Sequence, residues 1–107
     1  MRILFDQGTP VPLRQALTGH VVETAFDRGW SELQNGELLE LAEVAGFEIF
    51  VTTDQRLRYQ QDLSQRKIAI LVLTTTSWPR IQRHARSVAA AIEDLKPGGY
   101  RELSFPK

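Results

Sequence analysis

Residues 46–54, Gly46-Phe47-Glu48-Ile49-Phe50-Val51-Thr52-Thr53-Asp54, decide the fold prediction. The run is rich in aromatic and β-branched side chains, begins after a glycine and stops at two hydroxyls and a carboxylate. Such a pattern is typical of a short strand that is covered on one or both faces. The stretch therefore predicts a buried strand with Asp54 directly after its carboxyl end.

The position of Asp54 allows two interpretations. In an open α/β sheet, ligands bind beside the carboxyl ends of the strands, so a carboxylate at this point is a candidate ligand. Aspartate is also a favoured N-cap, and Asp54 precedes a short polar segment that is predicted to be helical. The stretch alone does not separate a functional aspartate from a helix cap.

The rest of the chain alternates between predicted strands and helices. Met1 to Phe5 forms a first apolar strand that closes at Asp6, and further strands are expected over residues 20–24, 67–73 and 100–105. Helices are expected from Pro12 to about Thr18, after an N-cap at Asn35, over residues 55–61, and as one long helix over 78–95. Residues 25–34 are predicted to be irregular, with Phe26 and Trp30 as an apolar surface. This alternation predicts an α/β fold, a three-layer sandwich with a mostly parallel central sheet.

Length and composition indicate a single domain and exclude some classes of function. The 107 residues suit one domain, 1–107, and 13 basic and 13 acidic side chains give a formal charge of zero. A global attraction to nucleic acid or to a membrane is therefore not expected. The chain has no cysteine, which excludes disulfides, thiolate metal ligands and a cysteine nucleophile. No stretch resembles a signal peptide or a membrane span, so we expect a soluble, cytoplasmic protein without membrane contact.

Acidic and hydroxyl side chains follow several of the predicted strands. In a parallel sheet the carboxyl ends share one edge, so Asp6, Asp54 and residues 74–77 should converge there, together with the helix start at Asn35 and Glu37. Carboxylates without histidine or cysteine suit Mg²⁺ or Mn²⁺ better than Zn²⁺. The simpler interpretations are a turn-forming role for Asp6 and a favourable helix-dipole contact for Glu37.

Several segments resemble the short PIN-like proteins of prokaryotes. They are residues 1–10, 19–22 (Gly-His-Val-Val), 35–42 (Asn-Gly-Glu-Leu-Leu-Glu-Leu-Ala) and 49–54 (Ile-Phe-Val-Thr-Thr-Asp). The matching segments of that family read Asp-Glu-Asn-Leu-Pro after the first strand, Gly-His-Asp-Val, Asp-x-x-Ile-Leu-x-x-Ala, and Val-Thr-x-Asp. Lys96-Pro97-Gly98-Gly99 also resembles the family's turn before its last strand, so the resemblance covers nearly the whole chain.

The resemblance implies a metal-dependent ribonuclease, in many cases the toxin of a toxin-antitoxin pair. Asp6 and Asp54 match the two aspartates that bind Mg²⁺ or Mn²⁺, and Glu37 would complete the catalytic acids. Implied partners are RNA and an antitoxin protein, and a homo-oligomer is compatible with the resemblance. Side chains that would orient the site or contact substrate are Asn35, Thr52, Thr53, Thr75, Arg56 and Arg58.

The chain departs from the family pattern where acids are expected. In the family an acid usually follows the first aspartate, whereas this chain has Gln7. The position of the family's aspartate at the helix start is Asn35, and the position of a usual phenylalanine after the second aspartate is Leu57. Fewer acids predict a weaker cation site. The alternative function is therefore a degenerate, non-catalytic PIN-like module that binds a partner protein.

A phosphoacceptor receiver domain is a more distant alternative. Asp6, Asp54 and Thr74 follow the order of its acids and hydroxyl residue. In receivers, however, a lysine followed by proline ends the fifth strand, whereas Lys96-Pro97 follows a predicted helix here.

Overall fold

A computed structural model describes residues 1–106 as an α/β fold around a five-stranded sheet. All strand pairs are parallel, and the spatial order is β2-β1-β3-β4-β5. The strands are β1 (Arg2–Phe5), β2 (Val21–Thr24), β3 (Ile49–Thr52), β4 (Ala69–Leu73) and β5 (Tyr100–Leu103). The predicted α/β class and parallel sheet are confirmed.

Short helices make the connections between successive strands. A 3₁₀ helix, Val11–Ala16, joins β1 to β2, and the α-helices are α1 (Asn35–Val44), α2 (Leu57–Gln60), α3 (Trp78–Arg83) and α4 (Ala85–Asp94). The connection through residues 25–34 consists of turns, as predicted. No helix within residues 1–106 has the length and apolar character needed to span a bilayer.

Alternate residues of the buried strands supply two apolar clusters, one on each face of the sheet. One face carries Ile3, Phe5, Ile49, Val51 and Leu71, which pack with the 3₁₀ helix, α3 and α4. The other face carries Leu4, Phe50, Ile70 and Val72, which pack with α1 and α2. Because side chains alternate across a strand, the near-continuous apolar runs of β3 and β4 are explained by helices on both sides. This arrangement is compatible with the predicted three-layer sandwich.

The prediction of one long helix over residues 78–95 is wrong. His84 leaves the helical conformation, with φ −121° and ψ 26°, and separates α3 from α4. Ile81 before the break and Val88 and Ile92 after it are all fully buried in the same cluster. The apolar spacing therefore stays regular across the break, which is why periodicity does not reveal it.

The predicted N-cap at Asn35 is also wrong. Asn35 is the first residue of α1, Gln34 takes the cap position, and no side chain caps the helix. The Asn35 amide instead donates to Asp54 on a different segment. The Asn35 side chain therefore makes a tertiary hydrogen bond instead of the helix cap that the local pattern predicts.

Candidate functional site

The strand order creates a crevice between β1 and β3. The chain leaves β1 for β2 on one side and returns through α1 to β3 on the other side of β1. Ligands of doubly wound sheets bind at such a reversal, outside the carboxyl ends of the two strands. Asp6 follows β1 and Asp54 lies two residues beyond β3, so the two aspartates flank this point.

A cleft of about 210 Å³ opens at this edge of the sheet. Asp6, Asp54 and Asn35 all line it, together with Gln7 and Gly8. Its remaining walls come from α1 and the segment before it, through Ala25, Trp30, Ser31, Leu33 and Leu38. The structure therefore brings together both aspartates and the asparagine that the sequence singled out.

Hydroxyl groups surround the Asp6 carboxylate. Thr52 Oγ1 donates to Asp6 Oδ2, and the Thr9 backbone amide and hydroxyl lie 3.1 and 2.7 Å from Oδ1. Thr9 and Thr52 are both buried, with 2% and 0% of their surface exposed. Asp6 is thus held in one orientation by two side chains that cannot easily move.

Burial raises the pKa of the Asp6 carboxyl above its ordinary value. Hydrogen bonds from Thr52 and Thr9 to the carboxylate oppose this increase without cancelling it. The Thr9 hydroxyl also lies 3.0 Å from the carbonyl oxygen of Val51, and its single proton can go to only one of the two acceptors. When Asp6 is protonated it can donate to Thr9, and Thr9 can then donate to Val51. The pocket around Asp6 therefore accommodates both protonation states.

The Asp54 carboxylate has one donor on each oxygen. Asn35 Nδ2 donates to Oδ2 over 2.7 Å, and the backbone amide of Arg56 donates to Oδ1 over 2.9 Å. The second contact is the local turn expected of an aspartate that precedes a short helix. Arg56, not Asp54, takes the N-cap position of α2, so the Asp54 side chain stabilises the turn before that helix without capping it. Its other oxygen accepts from Asn35, which lines the cleft.

Thr52 connects the two aspartates. Its hydroxyl donates to Asp6 Oδ2 and accepts a hydrogen bond from the backbone amide of Asp54 over 3.0 Å. Neighbouring parallel strands set this contact, because Phe5 is in register with Val51. The predicted orienting role of Thr52 agrees with this geometry.

The carboxylates of Asp6 and Asp54 are the type of ligand that a hard divalent cation prefers. Asp6 Oδ2 and both oxygens of Asp54 each accept one hydrogen bond, whereas a carboxylate oxygen can accept about two. Mg²⁺ is often held by one or two carboxylates, with water and substrate phosphate completing its shell. Within residues 1–106, no group of three or more histidine, aspartate or glutamate side chains is arranged to hold a metal ion.

Glu37 does not join the two aspartates. It is exposed in the first turn of α1 and is not among the residues that line the cleft. An α-helix turns about 100° per residue, so Glu37 lies about 200° around the axis from Asn35. Leu38, three residues after Asn35, is the next residue of α1 on the cleft side.

The two other predicted threonines differ in their relation to the cleft. Thr53 approaches Gly8 so closely that a Cβ at Gly8 would collide with its hydroxyl, and Gly8 lines the cleft. Thr75 follows β4 and its hydroxyl accepts from the backbone amide of Ser77 over 3.1 Å. Thr75 therefore stabilises the turn that precedes α3 and does not line the cleft.

The two predicted substrate arginines also differ. Arg58 donates to the Tyr59 hydroxyl over 2.6 Å, lies 4.8 Å from the centre of the Tyr59 ring and is 3.8 Å from Glu102 in β5. The Arg56 side chain is exposed, and among residues 1–106 no carboxylate lies within 4.0 Å of its guanidinium. Arg56 is thus the cation beside Asp54 that is available to a ligand.

Thr9 is one of the site residues that the sequence pattern did not single out. A signal was present, because aspartate followed three residues later by a hydroxyl side chain is a common turn pattern. No sequence pattern predicts that Trp30, Ser31 and Leu33 line the cleft, since their positions depend on the conformation of the irregular segment 25–34. Trp30 is only half-buried, with its ring packed edge-on against Phe47 at 6.3 Å between centroids.

Lys96 argues against a receiver-type site. It lies between α4 and β5 and lines a second cleft with the residues that begin β3 and β4. Those residues are at the amino edge of the sheet, opposite Asp6 and Asp54. The lysine is therefore remote from the aspartates that it would have to serve.

Comparison of the chain with protein-family models, with curated proteins and with solved structures finds no match.

Proposed function

We propose that this chain is a PIN-like ribonuclease that uses Mg²⁺ or Mn²⁺ to hydrolyse phosphodiester bonds. The observation that carries the proposal is the pair Asp6 and Asp54, which follow adjacent parallel strands and line one cleft at the point where the strand order reverses. The sequence resemblance supports the same two residues as the metal ligands. The toxin of a toxin-antitoxin pair is the biological role that we attach to this activity.

Asp6 and Asp54 would hold the cation in this proposal. When bound, Mg²⁺ or Mn²⁺ supplies an activated water and neutralises charge that develops on the phosphate. Thr52 keeps the Asp6 carboxylate in place, and Asn35 does the same for Asp54. The exposed Arg56 guanidinium would contact a backbone phosphate of the substrate next to Asp54.

The two carboxylates of Asp6 and Asp54 are enough for this chemistry only if the substrate supplies further ligands to the cation. The missing third acid predicts weak cation binding in the free protein and tighter binding when a phosphate is present. Glu37 is too far around α1 to be the catalytic acid in the observed conformation, so we assign the proposed catalysis to Asp6 and Asp54 alone.

A cleavage assay on single-stranded RNA tests the proposal. Wild-type protein should cleave the RNA with Mn²⁺ and not with EDTA, and Asp6→Asn and Asp54→Asn should each reduce the rate at least about a hundredfold. Asp62→Asn is the matched control, because Asp62 is an exposed acid outside the cleft. Equal cleavage by wild type and both cleft variants would show that any activity comes from a contaminant.

One observation favours the alternative, a non-catalytic module that binds a partner protein. Phe26 is 77% exposed at the start of the irregular segment, so a partner that covered its ring would remove a large apolar side chain from water. In this case a small protein encoded beside the chain should bind it, and Phe26→Ser should weaken that complex while Asp54→Asn leaves it unchanged. The reverse order of sensitivities would reject Phe26 as the contact.

A further inference from the structure

An exposed tyrosine ring follows Asp54 on the short helix α2. Tyr59 keeps 74% of its surface in contact with solvent. The Asp54 carboxylate accepts from the amide of Arg56 over 2.9 Å, and the Arg56 carbonyl oxygen accepts from the amide of Tyr59 over 2.9 Å. Two hydrogen bonds in series therefore connect the backbone of the exposed tyrosine to one of the proposed metal ligands.

Neighbouring side chains hold the Tyr59 ring in one orientation. The Arg58 guanidinium donates to the Tyr59 hydroxyl over 2.6 Å and lies 4.8 Å from the centroid of the ring. Arg58 is in turn 3.8 Å from the Glu102 carboxylate and 5.9 Å from the centroid of the Tyr100 ring. A side chain that is already oriented loses less conformational entropy when it binds a ligand, so Tyr59 is prepared for such a contact.

One face of the Tyr59 ring remains open. A guanidinium that packs on an aromatic ring covers a single face, and Tyr59 is largely exposed with Arg58 in place. A planar ligand stacked on the opposite face would therefore displace water and leave the contact with Arg58 intact. Nucleobases stack on such rings whatever their identity, because every base has a π-face.

The exposed cation Arg56 lies next to this ring. Arg56 and Tyr59 are three residues apart, and at this spacing the side chains of a helical turn are neighbours. The two acids nearest in sequence, Asp54 and Asp62, accept hydrogen bonds from groups other than the Arg56 guanidinium. The surface formed by Arg56 and Tyr59 thus combines a cation with an open aromatic face, the two elements by which proteins hold a single strand of nucleic acid.

We propose that Tyr59 stacks on an unpaired base of the RNA substrate, while Arg56 contacts a neighbouring phosphate. This inference rests on the proposed ribonuclease function, and it adds the class of substrate, which is single-stranded RNA. In a duplex the faces of each base are covered by stacking on its neighbours, so Tyr59 could not reach them. The stacked nucleotide would lie beside the cleft of Asp6 and Asp54 and not in it, since Tyr59 does not line that cleft.

Fluorescence anisotropy of labelled oligoadenylate in EDTA tests the inference without cleavage. Tyr59→Ala should weaken binding of this single strand about tenfold, and Tyr59→Trp should bind at least as tightly as wild type, because stacking needs the ring and not the hydroxyl. An abasic strand of the same length keeps the phosphates, so wild type and Tyr59→Ala should bind it equally. Phe26→Ala is the control and should change neither affinity, because Phe26 is exposed to a similar extent, 77%, and lies on another segment.

Three results would overturn this inference. The first is that oligoadenylate does not bind, or binds wild type and Tyr59→Ala equally. The second is an equal loss of affinity for the abasic strand, which would show that the substitution acts through charge or folding. The third is that an RNA duplex binds as tightly as the single strand and depends equally on Tyr59.

The same measurements separate this inference from the ribonuclease proposal. Binding that depends on Tyr59, without any metal-dependent cleavage, would reject the ribonuclease and retain the stacking site. Cleavage that depends on Asp6 and Asp54, with RNA binding indifferent to Tyr59, would do the reverse. Urea unfolding of Tyr59→Ala and Tyr59→Trp verifies that both variants are folded.

Discussion

The hydroxyl of Thr52 donates a hydrogen bond to Oδ2 of Asp6 over 2.5 Å. The same hydroxyl accepts from the backbone amide of Asp54, so one fully buried side chain fixes both aspartates of the cleft. This contact is possible only because β1 and β3 are adjacent and parallel. The orientation of both aspartates therefore depends on the Thr52 hydroxyl.

Replacing Thr52 by valine keeps the shape of the side chain and removes the hydroxyl. Asp6 Oδ2 loses its donor and the Asp54 amide loses its acceptor, which should lower the free energy of unfolding by about 1–3 kcal/mol. Thr52→Ser retains the hydroxyl and loses only a methyl group, at a cost of about 1 kcal/mol. Urea unfolding of the three proteins measures both changes. A valine variant at least as stable as the serine variant would contradict the role given to the hydroxyl.

The raised pKa of Asp6 predicts a specific dependence of stability on pH. Over the range between the ordinary and the raised pKa, the folded protein holds a proton that the unfolded chain has lost. Stability should therefore fall as pH rises from about 4 through the raised pKa, and Asp6→Asn should remove this loss. Relative to wild type, the variant should gain stability with increasing pH and then reach a plateau.

Asp62→Asn is the control with the opposite sign. The Ser64 hydroxyl and backbone amide lower the pKa of Asp62, so wild type should gain stability over this variant as pH rises through the acidic range. Unfolding curves measured between about pH 3 and pH 7 give both comparisons. Parallel curves for Asp6→Asn and wild type would show that Asp6 titrates normally.

Asn35 offers a test by gain of function. Its amide lies 2.7 Å from Asp54 Oδ2, so Asn35→Asp would place two carboxylates in contact and add a third acid to the cleft. We expect the variant to be less stable than wild type without metal and to bind Mn²⁺ at least about tenfold more tightly. Asn35→Ala removes the hydrogen bond without adding charge and should show no gain. Melting temperatures measured over a range of Mn²⁺ concentrations report both effects. Identical responses of the two variants to Mn²⁺ would contradict the metal site.

Arg56 and Arg58 should differ in their effect on RNA binding. Arg56 has no partner in the described part of the chain, so Arg56→Ala should weaken binding of single-stranded RNA and reduce the salt dependence of log K by about 0.7. Arg58 is engaged with Tyr59 and Glu102, and Arg58→Ala should change the salt dependence less. Fluorescence anisotropy in EDTA separates binding from cleavage, with Arg83→Ala as the control. A larger slope change for Arg58 than for Arg56 would reverse the assignment.

Much of the fold could be predicted because its strands are short, apolar and covered on both faces. The run that ends at Asp54 predicts β3, and parallel topology then predicts that Asp6 and Asp54 share an edge. Local patterns failed where tertiary contacts decide the conformation. The Asn35 side chain bonds Asp54 instead of capping α1, and His84 interrupts a helix whose apolar spacing continues without change.

The two aspartates of the site could be predicted from the sequence, but the residues that surround them could not. Trp30 and Leu33 reach the cleft, and Thr9 reaches Asp6, only through the folding of turns, which have no periodicity to follow. Glu37 shows a different limit. It is close to Asn35 in sequence, but helical rotation directs it to another side of α1, so sequence proximity overstates its role.

Calorimetric titration with Mn²⁺ tests the central claim most directly. Wild-type protein and the double variant Asp6→Asn with Asp54→Asn are compared, with Asp62→Asn as a control that should bind like wild type. We predict one Mn²⁺ site in wild type that is absent from the double variant, with both proteins folded. Equal binding by wild type and the double variant would contradict a metal site at Asp6 and Asp54.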